Sequence, residues 1–150
     1  MSLKKVQQAL DLIEANDDAD FVGPVSEETI IESEERLELV FPPSYKLFLS
    51  TLGCGDIDGL EFYGIVSSDL SVVGVPNAIW VTLDERKRGL PHRYVIIGAG
   101  GDGTFFAINT ATCDENGECP VDVVSPGGDA SRCHGTFGEY FYEELENVFE

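Results

Sequence analysis

The chain has 150 residues, 43% of them hydrophobic, which suits one ordinary domain with a core of its own. Its 28 acidic against 9 basic side chains give a formal net charge of −19, which disfavours a nucleic-acid ligand: phosphate binding needs a basic stripe, and the one dense basic cluster is Arg86, Lys87, Arg88 and Arg93. No apolar run nears the ~20 residues that span a bilayer and no hydrophobic signal segment opens the chain, so the expectation is a cytoplasmic protein, without membrane contact, whose Cys54, Cys113, Cys119 and Cys133 are reduced thiols.

Leu3, Val6, Leu10 and Ile13 form an amphipathic stripe that predicts a first helix over residues 2–15, followed by a polar acidic loop over 16–20. Ser26, with Glu27 and Glu28 behind it, signals the start of a second helix whose apolar side is Ile30, Ile31 and Leu37. This helix is expected to stop before Pro42, because the residue preceding a proline is pushed out of the helical region. A third helix opens at Pro43, carries Tyr45, Phe48, Leu49 and Leu52 on one stripe, and ends at Gly53, which tolerates the left-handed conformation of a helix stop. That helix, the Gly- and Asp-rich turn after it and a strand over 60–65 form the hub against which the rest should pack.

Residues 70–75 fit either a short strand or a loop. Over 77–88, Ile79, Trp80 and Leu83 fit a helix, whereas Ile79, Val81 and Leu83 fit a strand; the polar end from Asp84 to Arg88 favours the helix. Strands are expected over 94–97, 104–109 and 120–124, with turns at 98–103 and at Asn116-Gly117. Residues 126–138 read as a loop rich in Gly and Ser. Phe137, Tyr140, Phe141, Leu145, Val148 and Phe149 then give a terminal helix with an aromatic stripe. The predicted fold is α+β, a single domain over 1–150 with N-terminal helices packed on a mainly antiparallel β-sheet and a C-terminal helix.

Three patterns suggest chemistry and none completes it. Gly98-Ala99-Gly100-Gly101-Asp102-Gly103 matches G-x-G-x-x-G, yet a dinucleotide loop must open a helix and Thr104 to Ile108 reads as a strand, which leaves a Gly-rich hairpin turn. Cys113, Cys119, Cys133 and His134 lack the closely spaced Cys pair of structural zinc sites. Cys113 and Cys119 flank a turn, which suits a cross-strand thiol pair able to oxidise in air; His92 and His134 read as surface histidines. Asp56-Ile57-Asp58-Gly59 echoes the start of a calcium loop but lacks its third ligand position and closing Glu, so it reads as an acidic turn. No cofactor or metal is expected, and no residue pattern specifies an enzyme.

Ile31-x-x-Glu34-x-x-Leu37, the run from Phe41-Pro42-Pro43 to Leu49, Gly53-Cys54-Gly55 and the strand Gly59-Leu60-Glu61-Phe62-Tyr63-Gly64 resemble the SUKH superfamily, which includes a fungal cell-wall regulator and many bacterial immunity proteins. Val95-Ile96-Ile97-Gly98, the turn with Asp102 and Phe105 to Ile108 are similar to the family's central hairpin. One departure is Leu52-Gly53-Cys54-Gly55, where the family commonly runs into Asn-Gly-Gly, so a role tied to that Asn does not transfer. The resemblance implies an α+β fold without an active site that neutralises a cognate protein toxin, often a nuclease, in the cytoplasm. The acidic charge agrees, since an acidic inhibitor suits a nuclease's basic groove. The candidate contacts are Asp56, Asp58 and Glu61 beside the hub turn and Asp102 in the glycine turn, with Tyr63 as an aromatic anchor or, alternatively, as sheet packing. Two rivals stand: a regulatory scaffold for an endogenous partner, and a metal-dependent enzyme using Cys133, His134 and acidic residues.

Overall fold

The computed structural model describes residues 2–16, 19–126 and 129–149. Among them the chain runs as α1 (Ser2–Glu14), β1 (Ala19–Phe21), α2 (Glu27–Leu37), α3 (Pro43–Thr51), β2 (Gly55–Ile57), β3 (Leu60–Phe62), α4 (Ala78–Arg86), β4 (Tyr94–Ala99), β5 (Phe105–Asn109), β6 (Val121–Val124), β7 (Ala130–His134) and α5 (Phe137–Phe149). The strands form two antiparallel sheets, one in the order β1-β2-β3 and the other β4-β5-β6-β7. The α+β class expected from the sequence is what the chain adopts.

Helix α3 is the pivot. Tyr45, Phe48 and Leu49 on its predicted stripe are buried, and Leu52 caps its end. The Phe48 ring meets Phe21 of β1, Phe62 of β3, and Phe137 and Phe141 of α5 edge-on, with centroids 5.2–6.5 Å away, and stacks on Tyr45 at 5.9 Å. Such contacts add to the area each ring removes from water. The Tyr45 hydroxyl donates to the Tyr63 carbonyl (3.0 Å), and the Tyr63 amide donates to the Ile97 carbonyl (2.9 Å), so α3, the end of β3 and β4 are joined in sequence. Gly64 makes the closest approach possible: a Cβ there would lie 1.9 Å from the Gly53 carbonyl oxygen.

The N-terminus of α3 has no side-chain cap of its own, since Pro42 occupies the cap position. Glu118 supplies one from far along the chain. Its carboxylate accepts from the Ser44 amide (3.0 Å) and the Ser44 hydroxyl (2.6 Å), placing negative charge at the positive end of the helix dipole. Glu118 is presented by a loop closed by a Cys113–Cys119 disulfide, which corrects the expectation of four reduced thiols. Within that loop Asp114 accepts from the Asn116 and Glu118 amides, a local turn that brings the two cysteines together.

Several boundaries differ from the sequence reading for identifiable reasons. α1 buries Ser2, Val6, Ala9 and Ile13 and leaves Leu3 exposed, because small residues let it approach α5, where the Gly138 amide donates to the Ser2 hydroxyl. α2 starts at its Ser26 cap and stops before Pro42, both as expected; what ends it is Glu38, which takes a left-handed conformation while its amide closes the last turn. Residues 19 and 20, expected to be loop, form β1 together with Phe21, and residues 55–57, expected to be turn, form β2; residues 17 and 18 of that predicted loop lie outside the described residues. The turn itself is shorter: Asp58 and Gly59 both have positive φ, the hairpin type that an Asp-Gly pair favours. The predicted strand over 60–65 ends at Phe62. Residues 70–75 are loop, tied down by Asn77, whose side-chain amide donates to the Leu70 and Val72 carbonyls while its oxygen caps α4. β7 lies inside the predicted 126–138 loop, of which residues 127 and 128 lie outside the described residues; it is an edge strand held by pairing with β6.

Phe48→Ala removes the ring that all these aromatic contacts share. It should lower unfolding free energy by about 3–5 kcal/mol in urea denaturation, and a loss below about 1 kcal/mol would show that the pivot lies elsewhere.

Candidate partner-binding surface

Three short strands carry the same pattern, an acidic residue between two residues that face the interior or its edge: Ala19-Asp20-Phe21, Gly55-Asp56-Ile57 and Leu60-Glu61-Phe62. Alternation along a strand sends Phe21, Ile57 and Phe62 toward the core and the acids to the opposite face. The register does the rest. Asp20 stands directly across from Asp56, and Asp56 directly across from Glu61, which makes a row of three carboxylates over the sheet. Cross-strand neighbours in such pairs have Cβ atoms about 4.5–5.5 Å apart, and like charges placed so are destabilising. Among the described residues no ion pair reaches Asp20, Asp56 or Glu61.

The row borders a shallow concavity of 290 Å³, in which Val22, Val66 and Pro76 supply apolar surface beside the carboxylates. Val22 is exposed, and so is Val75 next to Pro76. Carboxylates and aliphatic side chains thus share one face, the mixture that protein interfaces use to combine register with buried area.

Of the residues expected at the site, Asp56 and Glu61 are brought together here. Asp58 is exposed at the tip of the β2–β3 hairpin, outside the concavity. Asp102 sits apart in the β4–β5 turn, where its carboxylate accepts from the Thr104 hydroxyl and amide; these bonds hold it below the usual carboxylate range and give it a turn-forming role. Tyr63 is 4% exposed and packs with Val81, Tyr94 and Ile96, so it has no face to offer as an anchor and the sheet-packing alternative describes it. Burial, then the charge of Glu61, pushes its phenol up. The sequence reading missed Asp20. Its signal was the triplet pattern shared with the other two strands, which a reading of 16–20 as loop concealed.

The imagined zinc set is not assembled, since Cys113 and Cys119 are bonded to each other. Among the described residues no group of three or more His, Cys, Asp or Glu is placed to hold a metal ion. Cys133 and His134 do meet: the thiol lies 3.0 Å from His134 Nδ1, and His134 Nε2 lies 2.7 Å from Glu143 Oε2. His134 is therefore no free surface histidine; its side chain is 14% exposed and its ring meets Tyr140 edge-on. The surroundings oppose a nucleophile. Burial, then Glu144, Glu143 and Asp122, pushes the Cys133 thiol up, and reactive thiols need the reverse. His92 is exposed, 3.6 Å from Glu38.

No helix among the described residues is long and apolar enough to cross a membrane. The family model SUKH_5, described as SMI1-KNR4 cell-wall, matches residues 3–146. The chain belongs to the SUKH superfamily. The match spans β1 through β7 and most of α5, so the acidic row and the Cys133–His134 pair are parts of the SUKH domain itself. Membership is consistent with a protein-interaction module of the immunity type.

If the carboxylate row serves binding at the expense of folding, Asp56→Asn should stabilise the free SUKH domain by about 0.2–1 kcal/mol at low ionic strength, the gain shrinking with added salt. Destabilisation by this change would mean that the row is part of what holds the sheet. For Cys133, peptide mapping after iodoacetamide treatment should show slower alkylation at neutral pH than a free cysteine, rising only above the ordinary thiol range of about 8.5. Rapid labelling at neutral pH would reverse that assignment.

Proposed function

We propose that this SUKH domain is an immunity protein that binds a cognate protein toxin stoichiometrically and blocks it in the cytoplasm, with the β1–β3 acidic face as its principal contact. The observation that carries the reading is the in-register row Asp20–Asp56–Glu61, which no ion pair reaches among the described residues, next to the exposed Val22 and the half-buried Val66. A fold keeps such a row at a cost in stability, and a basic partner turns the cost into attraction. A nuclease toxin suits it best, because its substrate groove must be basic, and a net charge of −19 would draw such a groove in from a distance. The proposal assigns no catalytic residue and calls for no cofactor.

A second reading, a regulatory scaffold for an endogenous protein, draws support from the cell-wall description of the matching family. Its partner would use the same face, and genetic neighbourhood separates the two: a toxin encoded beside this chain favours immunity.

The test is co-expression with the neighbouring gene's product. Immunity predicts that cells survive the product, that the two proteins co-purify in a fixed ratio, and that Asp20→Lys with Asp56→Lys weakens binding at least about tenfold, within the range for charge pairs at interfaces. The association rate of the wild-type pair should fall steeply between about 50 and 500 mM salt, as the screening length shortens to about 4 Å. Full protection by the double reversal, with a salt-independent rate, would overturn the role given to the acidic face.

A further inference from the structure

The C-terminal end of α2 borders a groove of 660 Å³ that is separate from the carboxylate row. Ile31, Leu39 and Val40 give it apolar surface, and Glu34, Glu35 and Glu38 add carboxylates. The disulfide-closed loop contributes Cys113 and Gly117 to its lining. Ile31 is 47% exposed and Val40 is 71% exposed, two large aliphatic side chains left in water beside one depression.

The groove is built from fixed parts. Glu38 is held by the left-handed turn that ends α2, and the Arg86 guanidinium donates to the Leu37 carbonyl just before it (2.8 Å). Glu34 is held by the Phe41 amide (2.7 Å), and the loop on the other side is closed covalently. A preformed groove loses little freedom when a ligand enters it. Its charge selects the occupant. Lys46 lies 3.5 Å from Glu34 and the exposed His92 lies 3.6 Å from Glu38, but the lining itself carries three carboxylates and no basic side chain. An adjoining depression shares Ile31 and Glu34 and adds Glu27, but Lys46 lines it too, so the purely acidic lining is confined to the first groove. A second copy of a chain with net charge −19 would be repelled.

We infer that this groove docks a short basic segment of a partner protein, with a large aliphatic side chain seated among Ile31, Leu39 and Val40 and flanking lysines or arginines against Glu34, Glu35 and Glu38. This site is independent of the acidic face of β1–β3. The two can engage different parts of one partner.

Two synthetic peptides of equal lysine content, one with leucines at its centre and one with serines there, serve as probes in calorimetric titration and amide NMR. The leucine peptide should bind at least about tenfold more tightly, the scale expected for burying one aliphatic side chain. Its shifts should concentrate at Ile31, Leu39, Val40 and Thr110. Ile31→Ser with Val40→Ser, both at exposed positions and checked for folding by circular dichroism, should abolish the difference between the peptides. Asp56→Lys with Glu61→Lys should preserve it, which keeps this test apart from that of the toxin-binding reading. Equal affinities of the two peptides for the wild-type chain, discrimination that survives the groove variant, or discrimination that is lost in the Asp56/Glu61 variant would each overturn the site.

Discussion

Phe48 holds together elements that have little means of holding themselves. Strands β1, β2 and β3 have three residues each, too short for a sheet of that size to persist in water without a hydrophobic backing. The backing is the aromatic cluster: Phe21 and Phe62 reach the Phe48 ring from β1 and β3, Phe137 and Phe141 reach it from α5, and Tyr45 stacks on it from within α3. The apolar face of the small sheet is thus fixed by α3 and α5. Because strand side chains alternate, fixing that face also fixes where Asp20, Asp56 and Glu61 point.

The acids of this chain divide into two kinds by their surroundings. Asp122 is buried and saturated: the Tyr94 hydroxyl, the Asn109 amide and the Arg132 guanidinium donate to it at 2.7–3.1 Å. Glu118 is buried as well and spends both oxygens on Ser44 at the start of α3. These two carboxylates are structural, and buried charge is tolerated there because donors replace the water it lost. The β1–β3 row is the opposite case, solvent-facing, mutually repelling and unpaired among the described residues. A uniform acidic coat added for solubility would give no reason for three carboxylates to stand in register.

What could be read from the sequence was whatever is encoded locally. Pro43 and Gly53 bracket α3, Ser26 caps α2, and the aromatic spacing of α5 follows one helix face. The β4–β5–β6 meander was visible for the same reason, as β-branched runs between turn residues. The elements that were missed are made by pairing rather than propensity. β1 exists because β2 lies beside it, and β7, with Ser131, Arg132 and His134 along it, exists because β6 does. Asp20 could not join the candidate site while its strand was read as a loop, and Tyr63 was left between anchor and sheet packing because its burial depends on α4 and β4 closing over it. The Cys113–Cys119 bond was within reach of the flanking-turn argument and was set aside on an assumption about compartment, which geometry does not enforce.

On the proposed function, the aromatic hub displays the β1–β3 acidic face to a protein partner. Hydrogen–deuterium exchange of the chain, alone and mixed with the product of the neighbouring gene, addresses it most directly. Exchange should slow on mixing over residues 19–22 and 54–62, the segments that carry Asp20, Asp56 and Glu61. A stable complex in which those segments exchange as fast as in the free chain, with protection only elsewhere, would contradict it.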